Sequence, residues 1–230
     1  MPRLVLAAFA CCATSHAATI LADFAADFST TSNPSGPWTY GSRTTLGASP
    51  TLSTDHSSYG ANSEILAWNP AGTLWPIVGL NTTGSTVEFG TGTIIVSAAR
   101  QGLLHPGPTG DFANVRYTAA SDFTADLFVQ FSGLDRSGTT TDVHILLNGQ
   151  SLFSDIINTF GAIATFTTTL HLTQGDLLDF AVGTGSNGTY FADSTGFFAT
   201  LSTSDTPEPG TWGLLTLGLA AITATRRPRT

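Results

Sequence analysis

Three features of this 230-residue chain predict an all-β fold, a single antiparallel β-sandwich. No helical period runs through residues 23–202; apolar and aromatic residues instead alternate with Thr, Ser and Asp. Gly, Asn and Pro interrupt that alternation at short intervals, and the chain holds 24 Gly and 11 Pro. Nine or ten short strands with turn residues between them and no long helix are what two packed antiparallel sheets require.

Taken in order, the chain opens on Arg3, an apolar run Leu4 to Ala13, and a small-x-small site at Ser15-His16-Ala17. This is the pattern of a secretory signal peptide over residues 1–17, cut after Ala17; a lipidated Cys11 or Cys12 is the less favoured alternative. Asn33-Pro34-Ser35-Gly36-Pro37 reads as a plain loop, and the stretch from Asn69 to Gly84 as loosely structured. Val87-Glu88-Phe89 and Thr93-Ile94-Ile95-Val96 make a strand pair around Gly90-Thr91-Gly92. Leu127 to Phe131 alternates cleanly and stops at Gly133. Asp142 to Leu147 runs into Asn148-Gly149, a two-residue hairpin signal, and Gln150 to Phe153 returns from it. Ala164 to Leu172 is a long alternating strand that turns at Gln174-Gly175-Asp176 into Leu177 to Val182, and Gly196 to Leu201 is the last strand. The body is therefore expected over residues 18–204.

Composition narrows the functions. The chain has no lysine; Arg43, Arg100, Arg116 and Arg136 face fifteen carboxylates that precede Thr206, a formal charge of about −11. Nothing here can displace counterions from phosphates, so a nucleic-acid partner is not expected. Both cysteines, Cys11 and Cys12, lie in the leader, so the mature body is expected to hold together by burial alone.

The last residues, 205–230, have an order of their own: Pro207-Glu208-Pro209, an uncharged run from Thr211 to Thr225, then Arg226, Arg227 and Arg229. As a helix that run spans only ~22 Å, short of a hydrocarbon core of roughly 30 Å, and the arginines are a cytoplasmic stop under the positive-inside rule. These residues resemble the PEP-CTERM sorting signal of Gram-negative bacteria. The resemblance implies a transmembrane sorting helix at 211–225, recognition by an exosortase, a membrane-embedded cysteine transpeptidase, and cleavage near Pro207, Glu208 and Pro209. It further implies transient tethering in the inner membrane, then delivery to the cell surface or the medium of an exopolysaccharide-making cell. Asp142 to Asn148, the Gly175-Asp176 turn before Asp179-Phe180, and Asp193-Ser194-Thr195-Gly196 resemble exported jelly-roll modules of the carbohydrate-binding kind. His105-Pro106-Gly107 with Val115-Arg116-Tyr117 is similar to a pattern among PEP-CTERM surface proteins.

Candidate chemistry is sparse. Sugar recognition needs aromatic rings at loops with polar groups beside them, because a ring stacks on the apolar face of a pyranose. Trp38, Tyr40, Trp68, Trp75 and Tyr190 all adjoin Gly, Pro or Asn and are the candidates for glycan stacking. His56, His105, His144 and His171 show no metal spacing; His105 is expected to bond a loop carbonyl, and His144 and His171 to face solvent. Gly183-Thr184-Gly185-Ser186-Asn187-Gly188 fits a dinucleotide fingerprint in letters, but no helix follows it. The carboxylate pairs Asp176 with Asp179 and Asp135 with Asp142 are open to an acid/base or a calcium role. No catalytic residue, metal ligand or cofactor is expected, a structural calcium ion staying open with no ligands named. The sequence thus favours a non-enzymatic surface or extracellular-matrix protein with affinity for polysaccharide. The alternatives are a secreted polysaccharide-active enzyme on the same scaffold, and an adhesin or ice-binding protein.

Overall fold

Sixteen strands form in the computed structural model, which describes residues 18–203. They are β1 (Ile20–Asp23), β2 (Trp38–Arg43), β3 (Thr51–Leu52), β4 (Asp55–Tyr59), β5 (Ile65–Asn69), β6 (Ile77–Asn81), β7 (Val87–Phe89) and β8 (Ile95–Ser97). There follow β9 (Gly102–His105), β10 (Phe112–Thr118), β11 (Phe123–Gly133), β12 (Thr141–Leu147), β13 (Gln150–Ile157), β14 (Ile163–Leu172), β15 (Leu177–Gly183) and β16 (Thr195–Ser202). One short helix, α1 (Phe24–Asp27), is capped by Asp23, whose carboxylate accepts from the Ala25 and Ala26 amides. The leader expected at 1–17 and the sorting helix expected at 211–225 fall outside the described residues.

Strands β9 to β16 wind as a jelly roll. They alternate between two antiparallel sheets, in the orders β9-β16-β11-β14 and β10-β15-β12-β13. The first half of the chain enlarges both sheets: β6, β5 and β4 add to β9, β1 adds to β16, and β2 and β3 add to β10. The Asn148-Gly149 turn joins β12 to β13 with φ of 51° and 79°, the left-handed pair that a two-residue hairpin needs. The turn at Gln174-Gly175-Asp176 makes no hairpin, because β14 and β15 lie in different sheets.

The core sits between the sheets. Val115, Val143, Ile145, Phe180 and Val182 face it from one side, Leu127, Val129, Phe131, Phe197 and Leu201 from the other. Phe197 is the hub, with ring centroids 4.9 Å from Phe24, 5.2 Å from Phe180 and 5.5 Å from Phe131. On the outer face of the six-stranded sheet, Asp179 binds Arg116 through Nε at 2.8 Å and Arg43 through Nη2 at 2.8 Å. Burial alone would raise the Asp179 carboxyl; the hydrogen bonds and charges of Arg116 and Arg43 outweigh it and hold it below the usual carboxylate range.

The stretch expected to be loose contains β6, every residue of which is buried. Val78 and Leu80 point into the main core, while Ile77 joins a second cluster with Ala67, Leu103 and Leu134 on the opposite face of the eight-stranded sheet. A strand covered on both faces has no polar side to show, so alternation could not reveal it. The cover is the β7–β8 ribbon, held down by the amide of Val96 donating to Leu134 O and that of Arg136 donating to Ile94 O, both at 2.9 Å.

Candidate functional site

Three of the five ring candidates are removed by the fold. Trp38, Tyr40 and Trp68 are 1%, 0% and 4% exposed. They stand on β2 and β5, strands with one face turned into the core, so their rings pack inward although Gly and Pro lie close by in sequence. Their polar atoms are spent locally: Trp38 Nε1 donates to Asp27 Oδ2, Trp68 Nε1 to Ser29 O, and Tyr40 Oη accepts from the Ser29 amide. Burial pushes the Tyr40 hydroxyl up to about 12. None of the three offers a free ring face to a sugar; Trp68, which borders a surface groove, is covered there by His56, with ring centroids 3.9 Å apart.

Trp75 and Tyr190 are half-buried and come together. Trp75 sits in the turn before β6, its amide donating to Thr73 Oγ1 and Leu74 O accepting from Asn69 Nδ2. Tyr190 follows the turn Gly185–Asn187 that links β15 to β16. Their ring centroids are 5.9 Å apart, edge to face; His105 lies 4.1 Å from Trp75, and the 71%-exposed Phe191 lies 4.5 Å from Tyr190. These rings wall a pocket of about 270 Å³ whose floor is Ile77, Leu103 and His105 on the eight-stranded sheet. The far wall is the ribbon, with Phe89, Thr91, Thr93 and Ile95.

The polar side of the pocket is a buried network. Asp135, just after β11, accepts from Thr93 Oγ1 at 3.1 Å and from the Ser194 amide at 2.6 Å, tying the ribbon to the loop that carries Tyr190. Behind it, Asp193 Oδ1 accepts from the amide and hydroxyl of Thr140, while its Oδ2 and Ser194 Oγ are buried with no partner. Burial raises the Asp135 carboxyl. Burial, with the charges of Asp135 and Asp142, raises Asp193 to about 7. His105 is pushed down to about 4 by burial, and its Nδ1 lies 2.8 Å from Pro106 O. A neutral ring in that contact carries its proton on Nδ1 and leaves Nε2 as an acceptor.

The carboxylate pairs do not meet across a cleft. Asp179 belongs to the arginine pair, whereas Asp176 caps the turn before β15 by accepting from the Thr173 amide and Asn148 Nδ2. Asp142 bonds His144 Nε2 at 2.7 Å and the Gly185 amide at 2.8 Å, so the glycine-rich loop is a structural turn between strands. Among the described residues no group of three or more His, Cys, Asp or Glu side chains could hold a metal ion. Sequence reasoning named Asp135 but with Asp142 as its partner, whereas it bonds Thr93 and Ser194; it missed the place of Asp193 in this network, Phe191 and the pocket-facing side of His105, of which only Phe191, beside Tyr190 after Asn187-Gly188, carried a readable signal.

Comparison with known proteins bears on the C-terminal residues more than on this pocket. A family model described as the PEP-CTERM protein-sorting motif matches residues 205–227. The chain carries a PEP-CTERM sorting motif. The PEP-CTERM motif marks export with transient membrane anchoring before arrival at the cell surface or in the medium, and it implies handling by an exosortase. Pro207, Glu208, Pro209, Arg226, Arg227 and Arg229 lie within or beside that match, outside the described residues. No curated protein matches the chain. Among solved structures, it is similar to a family 51 carbohydrate-binding module from Clostridium perfringens, at 13% identity and a TM-score of 0.35, over 70% of this chain and 99% of that one. It is also similar to a family 35 module from Clostridium thermocellum, at 13% identity and a TM-score of 0.30, over 66% and 100% of the two chains.

Proposed function

We propose that this protein is an exported, exosortase-processed surface or matrix component whose sandwich, residues 18–204, binds glycan without turning it over. The observation that carries the reading is the meeting of Trp75, Tyr190 and Phe191 at one open pocket, beside the Thr91 and Thr93 hydroxyls and a neutral His105. Rings that stay half-exposed offer apolar faces to a pyranose, and acceptors and hydroxyls beside them fix its orientation. At about 270 Å³ the pocket suits a sugar end or a side branch, not a chain laid along its length. Asp135 is the one carboxylate in its lining, and both its oxygens are engaged, so the lining has no second acid for a two-carboxylate hydrolysis. A glycan microarray run beside a polysaccharide-turnover screen tests this: retention with no reducing ends released supports it, and turnover, or no retention on any glycan, overturns it.

A further inference from the structure

Four strands end the two sheets, and one of them is unguarded. An edge strand offers unpaired N–H and C=O groups to any passing chain, and proteins normally blunt it by shortness, charge, proline or a bulge. Strand β3 has two residues. Strand β4 begins with Asp55. Strand β13 contains Asp155, and its register against β12 slips between Ile145 and Leu146. Strand β14 has none of these defences: ten residues, IATFTTTLHL, without Asp, Glu, Lys, Arg, Gly or Pro. It runs in unbroken register with β11, from Phe123 opposite Leu172 to Ser132 opposite Ile163. Thr165, Thr167, Thr169 and His171 are exposed along it. Around the turn that leads into it, Ile156 on β13, Phe160 in the turn and Ile163 at the start of β14 are 57%, 43% and 61% exposed. Among the described residues, no backbone or side-chain group outside β11 bonds the β14 backbone.

We propose that β14 pairs antiparallel with β14 of a second copy of this chain, joining two eight-stranded sheets into one. Charge selects the partner. With four arginines against fourteen carboxylates in residues 18–204, two bodies carry the same net negative charge, but this edge brings no like charges opposite one another. A two-fold axis normal to the sheet keeps outward residues on one face only when it passes through a residue, and the mid-strand outward residue is Thr167. Thr167 then faces its own copy, Thr165 faces Thr169, and Phe166 faces Thr168, the cross-strand pairs of β-branched and aromatic residues that favour sheets. Asp126, beside Thr169 on β11, falls in the row of the other copy's Gln130, which lies beside Thr165.

The register makes the test specific. In the full chain carrying Cys11→Ser and Cys12→Ser, a lone Thr167→Cys is expected to cross-link to itself under mild oxidation, since directly opposed Cα atoms at about 4.5–5.5 Å are within disulfide reach. Thr169→Cys alone is expected to stay uncross-linked, while Thr165→Cys with Thr169→Cys cross-links. Sedimentation should show a dimer that Thr167→Lys, at an exposed site, weakens more than tenfold and Thr167→Ser preserves. A monomeric chain, a dimer indifferent to Thr167→Lys, or cross-linking of Thr169→Cys as readily as Thr167→Cys overturns the proposal.

Discussion

Replacing Asp193 by Asn changes the charge behind the aromatic pocket while keeping the shape of the side chain. In the folded protein Oδ1 accepts two bonds from Thr140 and Oδ2 is buried without a partner. Burial, helped by Asp135 and Asp142, raises the carboxyl from 3.8 to about 7. Below about pH 4 the folded and unfolded chains both hold this proton. Between about 4 and 7 the unfolded chain releases it while the folded chain keeps it, so stability falls as pH rises; above 7 both are ionised and the loss stays constant. At about 1.4 kcal/mol per pH unit, the full loss is on the order of 4 kcal/mol, and about 2–4 kcal/mol once local relaxation is allowed. Asn is neutral throughout and keeps the acceptor for Thr140. The stability of Asp193→Asn relative to wild type should therefore climb by about 2–4 kcal/mol between pH 4 and pH 8, or roughly 4–16 °C in Tm for a domain of this size. His105, pushed down to about 4, acts in the opposite sense, its contribution fading as pH falls from about 6.5 towards 4; it is common to both proteins and cancels in the difference. Thermal unfolding of both proteins across that range is the assay. Parallel curves would refute the reasoning.

Other perturbations have equally definite outcomes. Asp179→Asn should cost about 3–5 kcal/mol in chemical denaturation, because the buried Arg43 and the half-buried Arg116 are left without their counter-ion. Phe197→Ala empties the centre of the aromatic core and should cost about 3–5 kcal/mol by the same measurement. Replacing Glu208 in the native host should leave unprocessed protein in the membrane fraction, read by immunoblot; normal release would count against exosortase handling of this motif.

Much of the second half of the fold was legible. From Leu127 onward strands such as β11 and β14 have one buried and one more open face, so alternation reports them, and Asn148-Gly149 announces its own hairpin; β15, buried on both faces, is marked instead by its continuous apolar run. In the first half the pair Val87–Phe89 with Ile95–Ser97 formed as expected, but strands such as β6 stayed hidden because they are covered on both sides and carry no alternation. The ring candidates show the limit of a local rule. A neighbouring Gly or Pro marks a loop nearby, but how Trp68 and Trp75 turn is decided by partners distant in sequence, Ser29 O for Trp68 and Tyr190 for Trp75. Asp135 and Asp193 were invisible as a pair for the same reason: the bond that joins their segments spans 59 residues.

The central claim is that Trp75 and Tyr190 hold glycan. Affinity electrophoresis through gels containing the host's exopolysaccharide tests it most directly, with wild type, Trp75→Ala, Tyr190→Ala and the distant Thr165→Ala run side by side. Stacking of a ring on a sugar face implies a loss of at least about tenfold, roughly 1.4 kcal/mol, for each ring variant and none for Thr165→Ala. Equal retardation of all four proteins, or retardation of none, would contradict the account.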